Sequence, residues 1–352
     1  MQKWKFRLTK QFILNQIIAY IKFLWKSKNE HGIHSPFVYD LVTKCFYDKK
    51  NYQEYEVLKS YRQSLLSNKN FIEVTDFGAG SRVFKSNKRQ ISKIAKTAGI
   101  SSKRAKLLFK IVNYFQPNEI LEIGTSLGLA TSALALGNIN SKITTLEGCA
   151  NTFKIAKASL EVLSLEFRSS KKVAGCRFQV SSSLDNENRI SFINCKFEDY
   201  LNELNLKTIS EKQSAKNNHR KTHNPQPTTH NSQLTTHNPQ LTTQNPKLKT
   251  HNPQPTTHNP QLTTHNSQLT NLIYFDGNHS KEATLKYFEL LLPTINNNSV
   301  WIFDDIHWSK DMENAWEIIQ NHPSVKVTID TFQWGIVFFR EEQVKEHFIV
   351  RV

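Results

Sequence analysis

The sequence predicts an α/β protein: a doubly wound, mostly parallel sheet, preceded by a mainly helical basic region and interrupted by a polar insertion. Three observations predict this. From residue 119 onward, short β-rich runs alternate with helix-length amphipathic stretches; the excess of positive charge sits in the first third; and residues 222–270 repeat one polar seven-residue unit. Strands separated by helices of this length form a parallel sheet covered on both faces, with ligands at the carboxyl ends of the strands. At 352 residues and 38% hydrophobic content the chain is long enough for one large or two ordinary domains.

Residues 1–104 are expected to form the basic, mostly helical N-terminal region. Residues 1–118 hold 23 Lys+Arg against 7 Asp+Glu, which accounts for the whole net charge of +16. Such a surface attracts nucleic acid, anionic lipid or an acidic substrate. The opening MQKWKFRLTKQFILNQIIAYIKFLWK is basic and then apolar, but Asn15, Gln16 and Lys22 interrupt it. It is expected to be a helix rather than a signal peptide, and no run is long enough to span a membrane. In EHGIHSPFVYDLV (30–42), Ser35-Pro36 reads as an N-cap followed by proline at the first helical position, which leaves His31 and His34 unexplained. Cys45, Cys149, Cys176 and Cys195 are scattered, with no metal or redox spacing, so a reducing cytoplasm is the expected location.

VTDFGAGSRVF (74–84) looks like a buried strand entering a glycine turn. After Gly80, however, come Arg82, Lys85, Lys88, Arg89, Lys93 and Lys96, with no strand and no acidic residue until Glu119. That is no nucleotide-binding unit, and a structural turn is expected, with a place over the active site as the alternative. Residues 105–206 supply the first half of the main domain: strand EILEIG (119–124), helix from Leu129 to Leu136, strand KITTLEG (142–148), helix from Asn151 to about Phe167, strand RISFINC (189–195), and a short helix through Tyr200 and Leu204. Residues 207–270 form the insertion. Its seven units of the THNPQLT type carry at most one Leu each and mostly a Pro, so they cannot make a coiled coil and are expected to be disordered. Residues 271–352 complete the domain with NLIYFDG (271–277), SVWIFDD (299–305), VKVTIDTF (325–332) and WGIVFFR (334–340), separated in turn by helices SKEATLKYFELLLP and SKDMENAWEIIQ. The last two strands are joined so tightly that they must pair antiparallel.

The second glycine turn is the better ligand site, because a helix, a strand and then Glu147 follow it at about the distance where an acidic side chain reaches both ribose hydroxyls. Its glycines are spaced GxxxG, not GxGxxG, and no Lys follows as in a phosphate loop. Glu122, two residues before Gly124, would repel a pyrophosphate and suits a cofactor carrying positive charge.

ILEIGTSLG resembles motif I of the class I S-adenosylmethionine-dependent methyltransferases, and TTLEG resembles their second motif, over about 105–204 and 271–340. The resemblance implies a Rossmann-like seven-stranded sheet of order 3-2-1-4-5-7-6 with the last strand antiparallel. It further implies S-adenosylmethionine as cofactor, with Glu122, Gly124, Thr125, Ser126 and Gly128 around its methionine part, Glu147 at the ribose, and Phe197 and Glu198 by the adenine.

Strand four ends in Asp276-Gly-Asn-His279 and strand five in Asp304-Asp305-Ile-His307-Trp308. Three carboxylates and two imidazoles are therefore expected to converge where a methyl acceptor sits. Two chemistries stay open. The arrangement is similar to that of the small-molecule O-methyltransferases, in which Asp276, Asp304 and Asp305 would hold magnesium or another divalent ion that lowers the acceptor's pKa. Here Asp305 stands where that pattern has Asn, and His279 replaces its Lys. Alternatively His279 or His307 is the general base, since an imidazole titrates near neutrality. The His31–Pro36 segment is expected to shape the acceptor pocket. The expected partner is a small-molecule acceptor. A nucleic-acid substrate rests only on the basic N-terminal third, and a non-catalytic membrane-surface role only on its amphipathic start; the sequence does not determine the oligomeric state.

Overall fold

The computed structural model describes residues 14, 16–77, 84–169, 189–221 and 271–352. Residues 1–209 and 268–352 form one compact unit and residues 210–267 a second. The N-terminal region is therefore part of the same unit as the sheet, not a separate body. The expected disorder of the repeat, and Cys176, lie outside the described residues.

The N-terminal region is mainly helical, as expected. It contains α1 over 16–26, α2 (Pro36–Leu41) running on into a π-helical turn (Val42–Phe46), α3 (Glu54–Ser67), α4 (Ile91–Thr97) and α5 (Ser102–Phe115). Ser35 caps α2 through its hydroxyl, which accepts from the Val38 N–H, and Pro36 follows where the missing N–H costs nothing. Between α3 and α4 stand two strands the sequence reading missed. β1 (Phe71–Glu73) is largely exposed rather than a buried strand, and it pairs antiparallel with β2 (Lys88–Gln90). Both strands are too short and polar to signal themselves by alternation.

The main sheet has eight strands: β3 (Glu119–Ile123), β4 (Lys142–Glu147), β5 (Ile190–Asn194), β6 (Asn271–Phe275), β7 (Val300–Asp304), β8 (Val327–Asp330), β9 (Trp334–Phe338) and β10 (Glu346–Ile349). Their spatial order is β10-β8-β9-β7-β6-β3-β4-β5. β9 lies between β7 and β8 and is antiparallel to both. The unexpected eighth strand, β10, adds to the β8 edge in parallel register. It was not visible as a strand because EHFI is short and only half-buried.

Period-two alternation places the two cores. In β6 and β7, Leu272, Tyr274, Val300 and Ile302 join the core under the N-terminal helices and α6 (Leu129–Gly137), whereas Ile273, Phe275, Trp301 and Phe303 join the opposite core. That second core also takes Leu201, Phe288 and Trp316 from α8 (Phe197–Lys221), α9 (Lys281–Leu291) and α10 (Lys310–Asn321). α7 (Ala150–Ser169) follows β4. α8 runs well past Leu204, where the sequence reading ended it. The stretch after Leu206 is polar but rich in Lys, Glu, Gln and Ala, which favour helix without supplying an apolar face. Because β3, β4, β6 and β7 are mutually parallel where they pair, their carboxyl ends share one edge.

Candidate active site

Three turns at that edge carry left-handed backbone. After β3 these residues are Gly124 (φ 105°), Ser126 (φ 49°) and Gly128 (φ 76°); after β6, Asn278 (φ 50°); and after β7, Asp305 (φ 54°). For the three non-glycine residues this costs roughly 1–2 kcal/mol each, and such strain gathers where function requires a particular backbone path. A Cβ on Gly124 would lie 2.5 Å from the Asp276 carbonyl oxygen, so only glycine lets the β3 and β6 turns touch. Asp305 stands where the resembled pattern has Asn, and both residue types tolerate the left-handed region.

The turns after β3 and β6 border a cavity of about 590 Å³, which the β7 turn does not line; the volume is within the range of cofactor sites. Of the residues expected around the cofactor, Gly124, Ser126, Glu147, Phe197 and Glu198 line it, and so does Asp276, which was expected at the acceptor. Glu147 is held in place: its Oε2 accepts from the Ser126 N–H at 2.7 Å and its Oε1 from the Cys149 N–H at 2.8 Å. Burial raises its pKa while these bonds oppose the rise. The Phe197 ring packs where a Cβ on Gly277 would stand. Glu198 pairs with Lys286.

Three expected cofactor residues do not line the cavity. Gly128 packs against Leu160 and the Tyr61 hydroxyl. Thr125 is buried, its hydroxyl bonded to that of Thr145. Glu122 is fully buried under the turn, where its Oε2 accepts from Thr131 at 2.6 Å and from Thr145 at 2.5 Å. Burial pushes its carboxyl up to about 7 against these bonds, and Glu147 adds repulsion. Glu122 supports the turn from below instead of facing the ligand.

The first glycine motif is not remote. Val74 to Phe77 line the cavity together with Arg89, which pairs with Asp76 at 3.2 Å. The Phe77 ring lies against Gly148, and the Asn151 amide donates to the Glu73 carbonyl at 2.7 Å. This segment thus roofs the end of β4, which is the alternative placement of the motif over the site; Gly80 and Arg82 lie outside the described residues. The His31–Pro36 segment does not line this cavity. His31 and His34 are exposed, and Ser35 bonds to Gln343.

Asp276, Asp304 and Asp305 do converge, and a residue that sequence reasoning missed converges with them. Arg104, from the start of α5, donates from Nη1 to Asp304 Oδ1 at 2.8 Å and stands 3.6 Å from Asp305 Oδ1. Burial alone would lower its pKa, but Asp304 and its neighbours raise it further. His279 Nε2 lies 3.5 Å from Asp276 Oδ1. Burial disfavours its charge, but Asp276, Asp305 and Asp304 together lift it to about 9. Asp276 is itself raised well above the carboxylate range, by burial and then by Asp304. Burial and Asp304 likewise take Asp305 to about 6. The helix cap beside His279 is Ser280, which accepts from the Ala283 N–H.

This donor set does not fit a divalent ion. Asp304 and Asp305 are turned onto a guanidinium and Asp276 onto an imidazole, so the positive charge that a metal would supply is already built in. Among the described residues no group of three or more His, Cys, Asp or Glu side chains is placed to hold a metal. The cavity does fit S-adenosylmethionine: its lining includes acidic side chains for a cationic ligand and a glycine turn that permits close approach.

His307 stands apart from this cluster. Its Nε2 lies 2.8 Å from Asp330 Oδ2, its Nδ1 lies 3.3 Å from Glu313 Oε1, and its ring stacks on Phe332. Burial disfavours the charged ring, but the two carboxylates raise its pKa overall. With both nitrogens engaged it cannot serve as a general base. Its role is to brace the start of α10 against the β8–β9 turn.

A family model described as a methyltransferase domain matches residues 211–306, which include β6, α9 and β7 with Asp276, Asp304 and Asp305. The matched residues are those of a methyltransferase domain, and they lie on a mainly parallel sheet covered by helices. Solved structures similar to the chain include an S-adenosylhomocysteine-bound methyltransferase of Podospora anserina, PaMTH1 (10% identity, 88% of this chain and 97% of that chain covered, TM-score 0.46). An O-methyltransferase of Bacillus cereus in complex with S-adenosylhomocysteine is also similar (14% identity, 83% and 92% covered, TM-score 0.39). A third is the O-methyltransferase TomG of Streptomyces achromogenes, involved in tomaymycin synthesis, in complex with S-adenosylmethionine (10% identity, 86% and 95% covered, TM-score 0.40). No curated relative matches the chain.

Proposed function

We propose that this chain transfers a methyl group from S-adenosylmethionine to an oxygen of a small molecule, without a divalent ion. The observation that carries this reading is that Asp276 belongs both to the cavity lining and to the charged cluster around Arg104. When bound, the cofactor supplies an electrophilic methyl group on a sulfonium. The chain's own work is to orient the ligands, keep water away and take one proton. Glu147 holds the ribose, with Phe197 by the adenine. The backbone from Gly124 to Ser126 passes the methionine part. Asp276 takes the hydroxyl proton of the acceptor as its oxygen gains the methyl group. Its burial beside Asp304 makes it a stronger base than an exposed carboxylate. His279 is already held protonated by its acidic neighbours, so it positions Asp276 rather than receiving the proton.

The test uses labelled cofactor with pools of small hydroxylated metabolites and, separately, with RNA. Label is expected in a small molecule, and turnover should survive a metal chelator. Asp276→Asn should lower turnover by roughly 10²–10⁴-fold with cofactor affinity kept. Loss of activity in chelator and its return with magnesium would make the three aspartates ligands after all. Label entering RNA instead would overturn the acceptor class.

A further inference from the structure

We propose that the outer face of α1 seats the protein on an anionic lipid surface. α1 has two apolar faces. The inner one is in use: the Gln16 amide donates to the His307 and Trp308 carbonyls at 2.5 and 3.1 Å, and the Tyr20 and Phe23 rings pack on Phe332 at 4.9 and 5.4 Å. Among the described residues nothing covers the outer one. Ile17, Ile18, Ile21 and Trp25 are 50%, 41%, 59% and 88% exposed, and Leu14, just before them, is 55% exposed. At about 100° per residue these five positions fall within roughly 100° of arc, centred about 140° away from Gln16, Tyr20 and Phe23. Docking through the outer stripe therefore leaves the inner contacts intact.

The charge says what covers this stripe. Lys22 and Lys26 are exposed on the same helix, and Lys28 is exposed just after it. Residues 1–29 hold seven Lys and Arg (3, 5, 7, 10, 22, 26 and 28) and no Asp or Glu. A second copy of the same stripe would bring these cations against one another. An RNA would answer the lysines but leave Ile21 and Trp25 wet. A bilayer carrying anionic lipid answers both, because the apolar side chains sink to the acyl boundary, an indole settles at the interface and the lysines meet headgroup charge. The helix lies on such a surface; no helix among the described residues is long and apolar enough to cross it. This inference does not rest on the methyl-transfer reading.

The full chain would be sedimented with vesicles of phosphatidylcholine alone and with added phosphatidylserine, over a salt series. Binding is expected on the phosphatidylserine vesicles and should weaken as salt rises. The double variant Ile21→Glu/Trp25→Glu should bind at least about tenfold more weakly, with melting temperature and cofactor affinity unchanged. Lys22→Glu/Lys26→Glu should remove the preference for phosphatidylserine. Equal binding to both vesicle types by the wild type would overturn the proposal, as would undiminished vesicle binding by the Ile21/Trp25 variant. A large fall in that variant's melting temperature would also overturn it, by showing that the stripe is packed within the protein.

Discussion

Replacing Glu122 by Gln should flatten the pH dependence of stability. The carboxyl is fully buried and its pKa lies at about 7 against an ordinary value of 4.5. A pKa raised on folding means that the group's stabilising contribution is complete below the unfolded value and is lost as pH climbs through the folded one. For Glu122 that window runs from 4.5 to about 7. At 1.36 kcal/mol per tenfold change in proton affinity this comes to about 3 kcal/mol, most of which falls between about pH 5 and pH 8. Gln can still accept the Thr131 and Thr145 hydroxyls but cannot ionise. Placing its amide costs a similar amount at every pH, so the difference between the two proteins should swing in favour of the variant by about 2–3 kcal/mol across that range. Urea unfolding of the cofactor-free proteins, repeated at intervals of pH, measures this directly. Parallel stability profiles for wild type and variant would show that Glu122 is not forced toward its neutral form, and the support role assigned to it would fail.

Two further outcomes follow from the same geometry. Glu147→Ala should weaken cofactor binding by roughly 2–4 kcal/mol, since two hydrogen bonds to a charged acceptor are lost; unchanged affinity by calorimetry would refute the placement of the ribose. His307→Ala should leave cofactor affinity alone but lower stability by about 1–3 kcal/mol, because Asp330, only 7% exposed, loses its imidazole partner. His307 has a raised pKa, so the wild-type advantage should be greatest at acid pH and shrink as pH rises through that value. A melting-temperature difference that grows toward alkaline pH would contradict this.

Much of the fold was readable because its central strands leave no alternative: NLIYF and VWIFD are buried on both faces, and Ser280 and Ser309 cap the helices that follow. Glu147 was readable because its distance from Gly124 is set by one helix and one strand. The failures share a different cause. Arg104 lies 200 residues from Asp304 and looked like one more member of a basic surface. Glu122 was assigned to the ligand because acids near glycine turns often face one, and only packing reveals the Thr131 and Thr145 hydroxyls that claim it. His307 looked like a base until Asp330 and Glu313 were found on its two nitrogens. Residue type and spacing identify where charge gathers, but they do not show which charges neutralise each other.

The bond between Lys28 and the β10 edge bears on how the chain is assembled during synthesis. The Lys28 N–H donates to the Ile349 carbonyl at 2.8 Å, and the Tyr47 hydroxyl donates to the Arg351 carbonyl at 3.1 Å. The segment around Lys28 is made more than 300 residues before residues 346–351, and must wait for them before its backbone is satisfied. Arg104 waits in the same way for Asp304. Contacts this distant in sequence form late and slowly, since the intervening chain must first be brought to closure. Through that interval Tyr20 and Phe23 of α1 lack Phe332, the ring on which they pack in the finished fold.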